Sequence, residues 1–306
     1  LFLTGCATST PEMSIEASVT VDDAEITEAP AARPETPIPA DSLLPLLQAE
    51  FALRQRDFNQ GLALLAKQAV LLEDPALARR ALRLAEFVND TDQAAMMAVR
   101  LVELDPGDGA AAAAASGWLS RAGRPVDAVY YAQLAFEHGH PVNVATNLGT
   151  YEALDEGSQV AIAEAIRAIA AQWPEDDQAA IATSLLARLE GDFKQAESFI
   201  APVLERSPED IRAVMLWTQL MLDQDADDPF QLLATTVSRY PDNQELRLQY
   251  ARLLGSEGNY AGARAQFVLL LERDPDNAEL LSTAALLDFE LEYFDESLSK
   301  FQQLIA

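Results

Sequence analysis

Basic residues are scarce in this chain. Lys and Arg number 21 against 49 Asp and Glu, a formal net charge of −28 over 306 residues. A surface of that sign repels nucleic-acid phosphates and anionic headgroups, so neither is an expected partner. It favours solubility and fast encounter with a basic protein. Cysteine is nearly missing: Cys6 stands alone, which excludes a disulfide framework and a cysteine-built metal site. Histidine is limited to His138 and His140. That leaves almost no candidates for a Ser–His–Asp arrangement, and no Gly-x-Ser-x-Gly elbow occurs. There is no phosphate loop or dinucleotide fingerprint, and no run reaches the roughly 20 apolar residues of a membrane-spanning helix. The expectation is a non-catalytic chain without metal or cofactor.

What the chain does have is 49% apolar composition, enough for a sizeable core, and a recurrence. Pro106, Pro141, Pro174, Pro208, Pro241 and Pro275 fall 35, 33, 34, 33 and 34 residues apart. One structural unit is copied end to end, and a period near 34 residues belongs to stacked helix–turn–helix repeats. Residues 244–277 spell the unit most clearly. Leu246, Leu248, Tyr250, Leu253 and Leu254 stripe a first helix. Gly258-Asn259-Tyr260 suits a tight turn, and Ala263, Phe267 and Leu270 stripe a second helix that stops before Pro275.

Gly258, Tyr260, Ala263, Phe267 and Pro275 resemble the turn glycine, turn aromatic, small packing residue, second aromatic and terminal proline of the tetratricopeptide consensus. The unit at 177–209 repeats the pattern with Gly191-Asp192-Phe193, Ala196 and Ser207-Pro208. That at 42–74 carries Arg56-Asp57-Phe58, Gly61 and Asp74-Pro75. Units at 75–108, 109–142, 143–176 and 210–243 are in phase but degenerate, and the last replaces its turn with the acidic loop Asp223–Pro229. The resemblance implies an all-α fold, a right-handed superhelical solenoid of about seven and a half tetratricopeptide repeats over 41–306. The final unit stops at Ala306 inside its second helix, which reads as truncation.

Ahead of the repeats, Leu3-Thr4-Gly5-Cys6 resembles the lipobox of a bacterial lipoprotein. That resemblance implies cleavage before Cys6 and lipidation of its thiol and new amino terminus. Stable anchoring takes at least two acyl chains. Ala7, where Asp favours inner-membrane retention, implies the outer membrane, periplasmic face. Residues 1–6 are thus expected to be a signal-peptide end with the lipidated Cys6, and 7–40 an acidic Pro-rich tether. In the latter, seven carboxylates face the single base Arg33 and too little apolar surface exists to fold. About 34 flexible residues span roughly 30–35 Å.

The remaining candidates are weighed against plainer roles. His138 and His140 precede Pro141 at a helix end, where histidine suits the helix dipole better than an unfinished metal site. The loop Asp223–Asp228 lacks the glycine and distal Glu of a calcium hand and reads as solvated. Ala110–Ala115 reads as close helix packing. In the tetratricopeptide fold the first helices line an inner groove, and the register places Arg54, Arg121, Arg188 and Arg252 on four of them. Such arginines suit a two-pronged grip on a partner's carboxylate; the plainer alternative pairs each with a carboxylate on its own helix. Val214, Met221, Leu185 and Phe289 read as core.

Lipobox, acidic tether and degenerate array together resemble the tetratricopeptide outer-membrane lipoproteins that act as protease adaptors. The likeness is closest over Gln48–Val88, through Glu50, Arg56-Asp57-Phe58, Ala63, Gln68-Ala69, Asp74-Pro75 and Ala81-Leu82-Arg83-Leu84-Ala85-Glu86. It implies protein partners: a periplasmic serine protease of the carboxyl-terminal-processing type and peptidoglycan hydrolases as its substrates, with an oligomer possible. The alternative is an envelope-assembly lipoprotein, either an outer-membrane-protein insertion component or a pilus-secretin pilotin. An enzyme with an unseen site is a third.

Overall fold

The computed structural model describes residues 37–305. Cys6 and the acidic segment through residue 36 lie outside the described residues. Among the described residues the chain is all helical, with eight units following one another at the expected period. The first three pair α1 (Ala40–Arg54) with α2 (Phe58–Leu72), α3 (Pro75–Val88) with α4 (Thr91–Leu104), and α5 (Gly109–Arg121) with α6 (Pro125–Glu137). In the fourth, two short 3-10 helices (Val144–Leu148 and Tyr151–Ala153) precede α7 (Glu156–Gln172). The rest pair α8 (Asp177–Leu189) with α9 (Phe193–Arg206), α10 (Ile211–Asp223) with α11 (Gln231–Arg239), α12 (Gln244–Ser256) with α13 (Tyr260–Leu271), and α14 (Ala278–Glu290) with α15 (Phe294–Ile305). This is the tetratricopeptide-type solenoid.

Two kinds of turn set the period. Inside each unit the chain reverses through one residue in the left-handed region: Arg56, Asn89, Gly123, Gly191, Asp225, Gly258 and Glu292, with φ between 51° and 80°. Only the fourth unit lacks one, because its first helix is broken. Val144, Thr146, Gly149 and Thr150 are weak helix formers there, and Asn143 gives no side-chain cap. Between units, an Asp or Asn two residues after the recurring proline caps the next first helix. Asp108, Asp176, Asp210, Asn243 and Asn277 accept from backbone amides of the first turn at 2.9–3.3 Å. The prolines therefore punctuate connectors and also precede the residue that starts the next helix.

Packing explains the small residues. Ala94, Ala128, Ala196 and Ala263 are fully buried at one recurring position of the second helices, where paired helices approach closely. Ala111, Ala112 and Ala115 of the alanine run are buried likewise. The core divides along the array into successive clusters, from one spanning α1–α6 to one spanning α12–α14. Asp288 is fully buried in α14 and takes Arg264 of α13 on one oxygen and Lys300 of α15, at 2.5 Å, on the other. A buried carboxylate thus ties the last three helices together. No described helix is long and apolar enough to cross a membrane.

Candidate protein-binding surface

The four arginines lie on α1, α5, α8 and α12, so a whole unit separates each from the next. Arg188 is gripped two-pronged by Asp223, with Nε donating to Oδ2 at 2.6 Å and Nη2 to Oδ1 at 3.3 Å. Arg252 donates to Glu279 at 2.6 Å. Neither carboxylate is on the arginine's own helix: Asp223 ends α10 and Glu279 opens α14, the first helices of the following units. Such pairs stitch neighbouring units and lie partly exposed, where each is worth about 0–1 kcal/mol. Arg121 lies over the Trp118 ring, 4.6 Å from its centroid, a cation–π contact. Arg54 is exposed in the last turn of α1.

The acidic loop is more structured than its composition implied. Asp223 is held by Arg188, and the amides of Asp225 and Ala226 bond the carbonyls of Leu222 and Met221 to close α10. Val214 is buried and Leu185 and Met221 are half-buried, but Phe289 is exposed. It sits in the last turn of α14 and meets the Phe294 ring edge-on at 5.7 Å, so its partner is local and its outer face stays open. His138 caps the end of α6. His138 and His140 crowd Gly109, where an added Cβ would lie 2.5 Å from the His140 ring and 3.0 Å from the His138 carbonyl. The pair packs the α6 exit against the start of α5. Among the described residues no group of three or more His, Cys, Asp or Glu is arranged to hold a metal.

Two concavities open between second helices. The larger, about 850 Å³, runs beside α4 and α6 and mixes Met96, Val99, Tyr130 and Tyr131 with charges of both signs. Arg100 there donates to Glu103 at 2.9 Å and to the Val70 carbonyl at 3.2 Å. Burial, helped by the Glu103 charge, pushes the Tyr131 hydroxyl above its ordinary pKa. The smaller, about 510 Å³, lies between α9 and α11, with Trp217 and Met221 of α10 in its lining. α11 runs only 9 residues, where α9 runs 14 and α13 runs 12. The residues that would lengthen it form the acidic turn, and α10 is left partly uncovered.

A stack of paired helices with long open faces is the architecture of protein-binding scaffolds, and this chain has that architecture. Residues 220–287 match the tetratricopeptide repeat family. A curated relative, the TPR repeat-containing protein PA4667 of Pseudomonas aeruginosa, is 24% identical over 212 residues, which is 69% of this chain but only 36% of that protein. The chain thus spans about a third of the relative's length. Among solved structures, yeast Tom70 is similar at 15% identity and a TM-score of 0.35, over 86% of this chain and 68% of that one. PilW, a type IV pilus biogenesis factor, is similar at 13% and 0.41, over 68% and 98%. Likenesses this loose carry nothing about partner or activity.

Proposed function

We propose that the chain is a non-catalytic scaffold, lipid-anchored through Cys6 at the periplasmic face of the outer membrane, that brings a carboxyl-terminal-processing protease to peptidoglycan hydrolase substrates. The observation that supports it most is the coupling of a lipobox-like Leu3-Thr4-Gly5-Cys6 to a repeat array whose open helical faces suit proteins. The stretch that most resembles the adaptor family folds as the scaffold's first units. Asp57 caps α2, Asp74 caps α3 with Pro75 at its first turn, and Glu50 pairs with Arg80 across units. An anchored array needs no chemistry of its own: holding protease and substrate on one rigid support raises the local concentration of one near the other.

The test is mild cross-linking in envelopes, recovery of the lipidated full-length protein, and mass spectrometry of what comes with it. A carboxyl-terminal-processing protease with cell-wall hydrolases among the prey is the expected result. Recovery of insertase or secretin subunits without the protease would overturn it in favour of envelope assembly.

A further inference from the structure

The slot between α9 and α11 has a chemistry of its own. Trp217, Met221, Leu204 and Leu232 give it an apolar lining, while Glu205 and Asp228 stand exposed on it. No Lys or Arg lines it, and Asp225 and Asp227 extend the same sign along the adjoining turn, exposed. Arg206, the base next to Glu205, is turned to Asp177 at 2.5 Å, and Arg188 is spent on Asp223. The rim therefore keeps its negative charge.

We propose that this slot is a docking site for a segment of a partner protein that carries a large apolar anchor residue flanked by Lys or Arg. Volume and lining fix the anchor: about 510 Å³ beside an indole and a thioether accepts leucine- or phenylalanine-sized side chains. The rim fixes the flanks, because carboxylates attract basic neighbours and reject an acidic tail. The larger concavity beside α4 and α6 carries Arg100 and Arg124 in its lining, so a slot walled without bases is particular to the sixth unit among the two. The proposal rests on the reading of the array as a protein-binding scaffold, not on which protease it serves.

The test titrates the chain into a short fluorescein-labelled peptide of alternating leucine and lysine, followed by anisotropy. A second peptide carries glutamate in place of every lysine. Thr235→Arg and Glu205→Lys alter exposed positions of the slot, and Glu164→Lys makes the charge change of Glu205→Lys at an exposed position of α7, outside the slot lining. The lysine peptide is expected to bind, with each slot variant weakening it at least about tenfold and Glu164→Lys changing it by less than about twofold. Circular dichroism melts confirm that all three variants stay folded. Absence of binding, equal binding of the glutamate peptide, or equal weakening by Glu164→Lys and Glu205→Lys would each overturn the proposal. The assay uses this chain alone, so its failure leaves the envelope pull-down to be judged by itself, and the reverse.

Discussion

The sixth and seventh units are neighbours built from the same plan with different punctuation. The seventh joins helices of 13 and 12 residues through Gly258 at φ 77° and Asn259, whose side chain accepts from the Gly262 amide at 2.9 Å. It buries Ala263, Phe267 and Leu270 in one cluster. The sixth starts with a helix of equal length, 13 residues, but turns through Asp225 at φ 51° and opens α11 on Phe230, which gives no side-chain cap. Phe230 instead leans toward the Tyr250 ring of the next unit at 6.4 Å. Loss of the cap and the long turn shorten α11, and the space it vacates is the slot over Trp217. Where the repeat keeps its consensus it makes structure; where it departs it makes an opening.

That contrast is tested by removing side chains from each unit. Phe267→Ala deletes a ring that is 2% exposed and is expected to cost about 3–5 kcal/mol in denaturant unfolding. Leu232→Ala, on the slot wall, is expected to cost under about 1 kcal/mol, since it opens no closed cavity. Equal losses would show that the sixth unit is packed as tightly as the seventh. Asp288→Ala strands Arg264 and Lys300 around an emptied site and is expected to cost about 3 kcal/mol. That is the low end for a buried pair, because both cations are partly exposed. A loss below about 1 kcal/mol would show that solvent already compensates the pair. Asn259→Ala removes the seventh unit's cap and is expected to cost about 1 kcal/mol.

The smallest effect is electrostatic. Asp108 and Asp210 cap α5 and α10. Burial opposes their ionisation, but hydrogen bonds from Ala111 and Arg79 on the first, and from Arg212 and Ala213 on the second, outweigh it. Both carboxyls are held below their ordinary value of 3.8. A depressed folded pKa gives stability that is full above the unfolded value and is lost as pH falls through the folded one. Stability is therefore expected to decline as pH drops past about 3.8, with a shallower decline in Asp210→Asn. An identical decline in the variant would remove Asp210 from the account.

How much of this could be read beforehand follows from range. The proline period marked the second to seventh units, and Gly191 and Gly258 marked turns, because both act within a few residues of themselves. The P-x-[DN] rhythm of Pro106–Asp108 through Pro275–Asn277 was equally local and would have located the first-helix caps. The broken helix after Pro141 was foreshadowed by weak helix formers. It still buries Asn147 with no hydrogen-bond partner among the described residues for its side-chain oxygen or nitrogen, which composition does not announce. The ion pairs were hidden for another reason. Arg188 meets Asp223 at a distance of 35 residues and Arg252 meets Glu279 at 27, so their pairing depends on how units stack. The acidic turn ahead of α11 was visible as a departure from the repeat, but the slot it opens is a relation among α9, α10 and α11.

Amide hydrogen exchange along the whole array tests the central contrast most directly. Slow exchange is expected through α12 and α13, and faster exchange than in α9 or α13 is expected in α11 and the preceding turn, because few buried contacts and an uncapped start lower the local opening energy. Protection of α11 equal to that of α13 would contradict it.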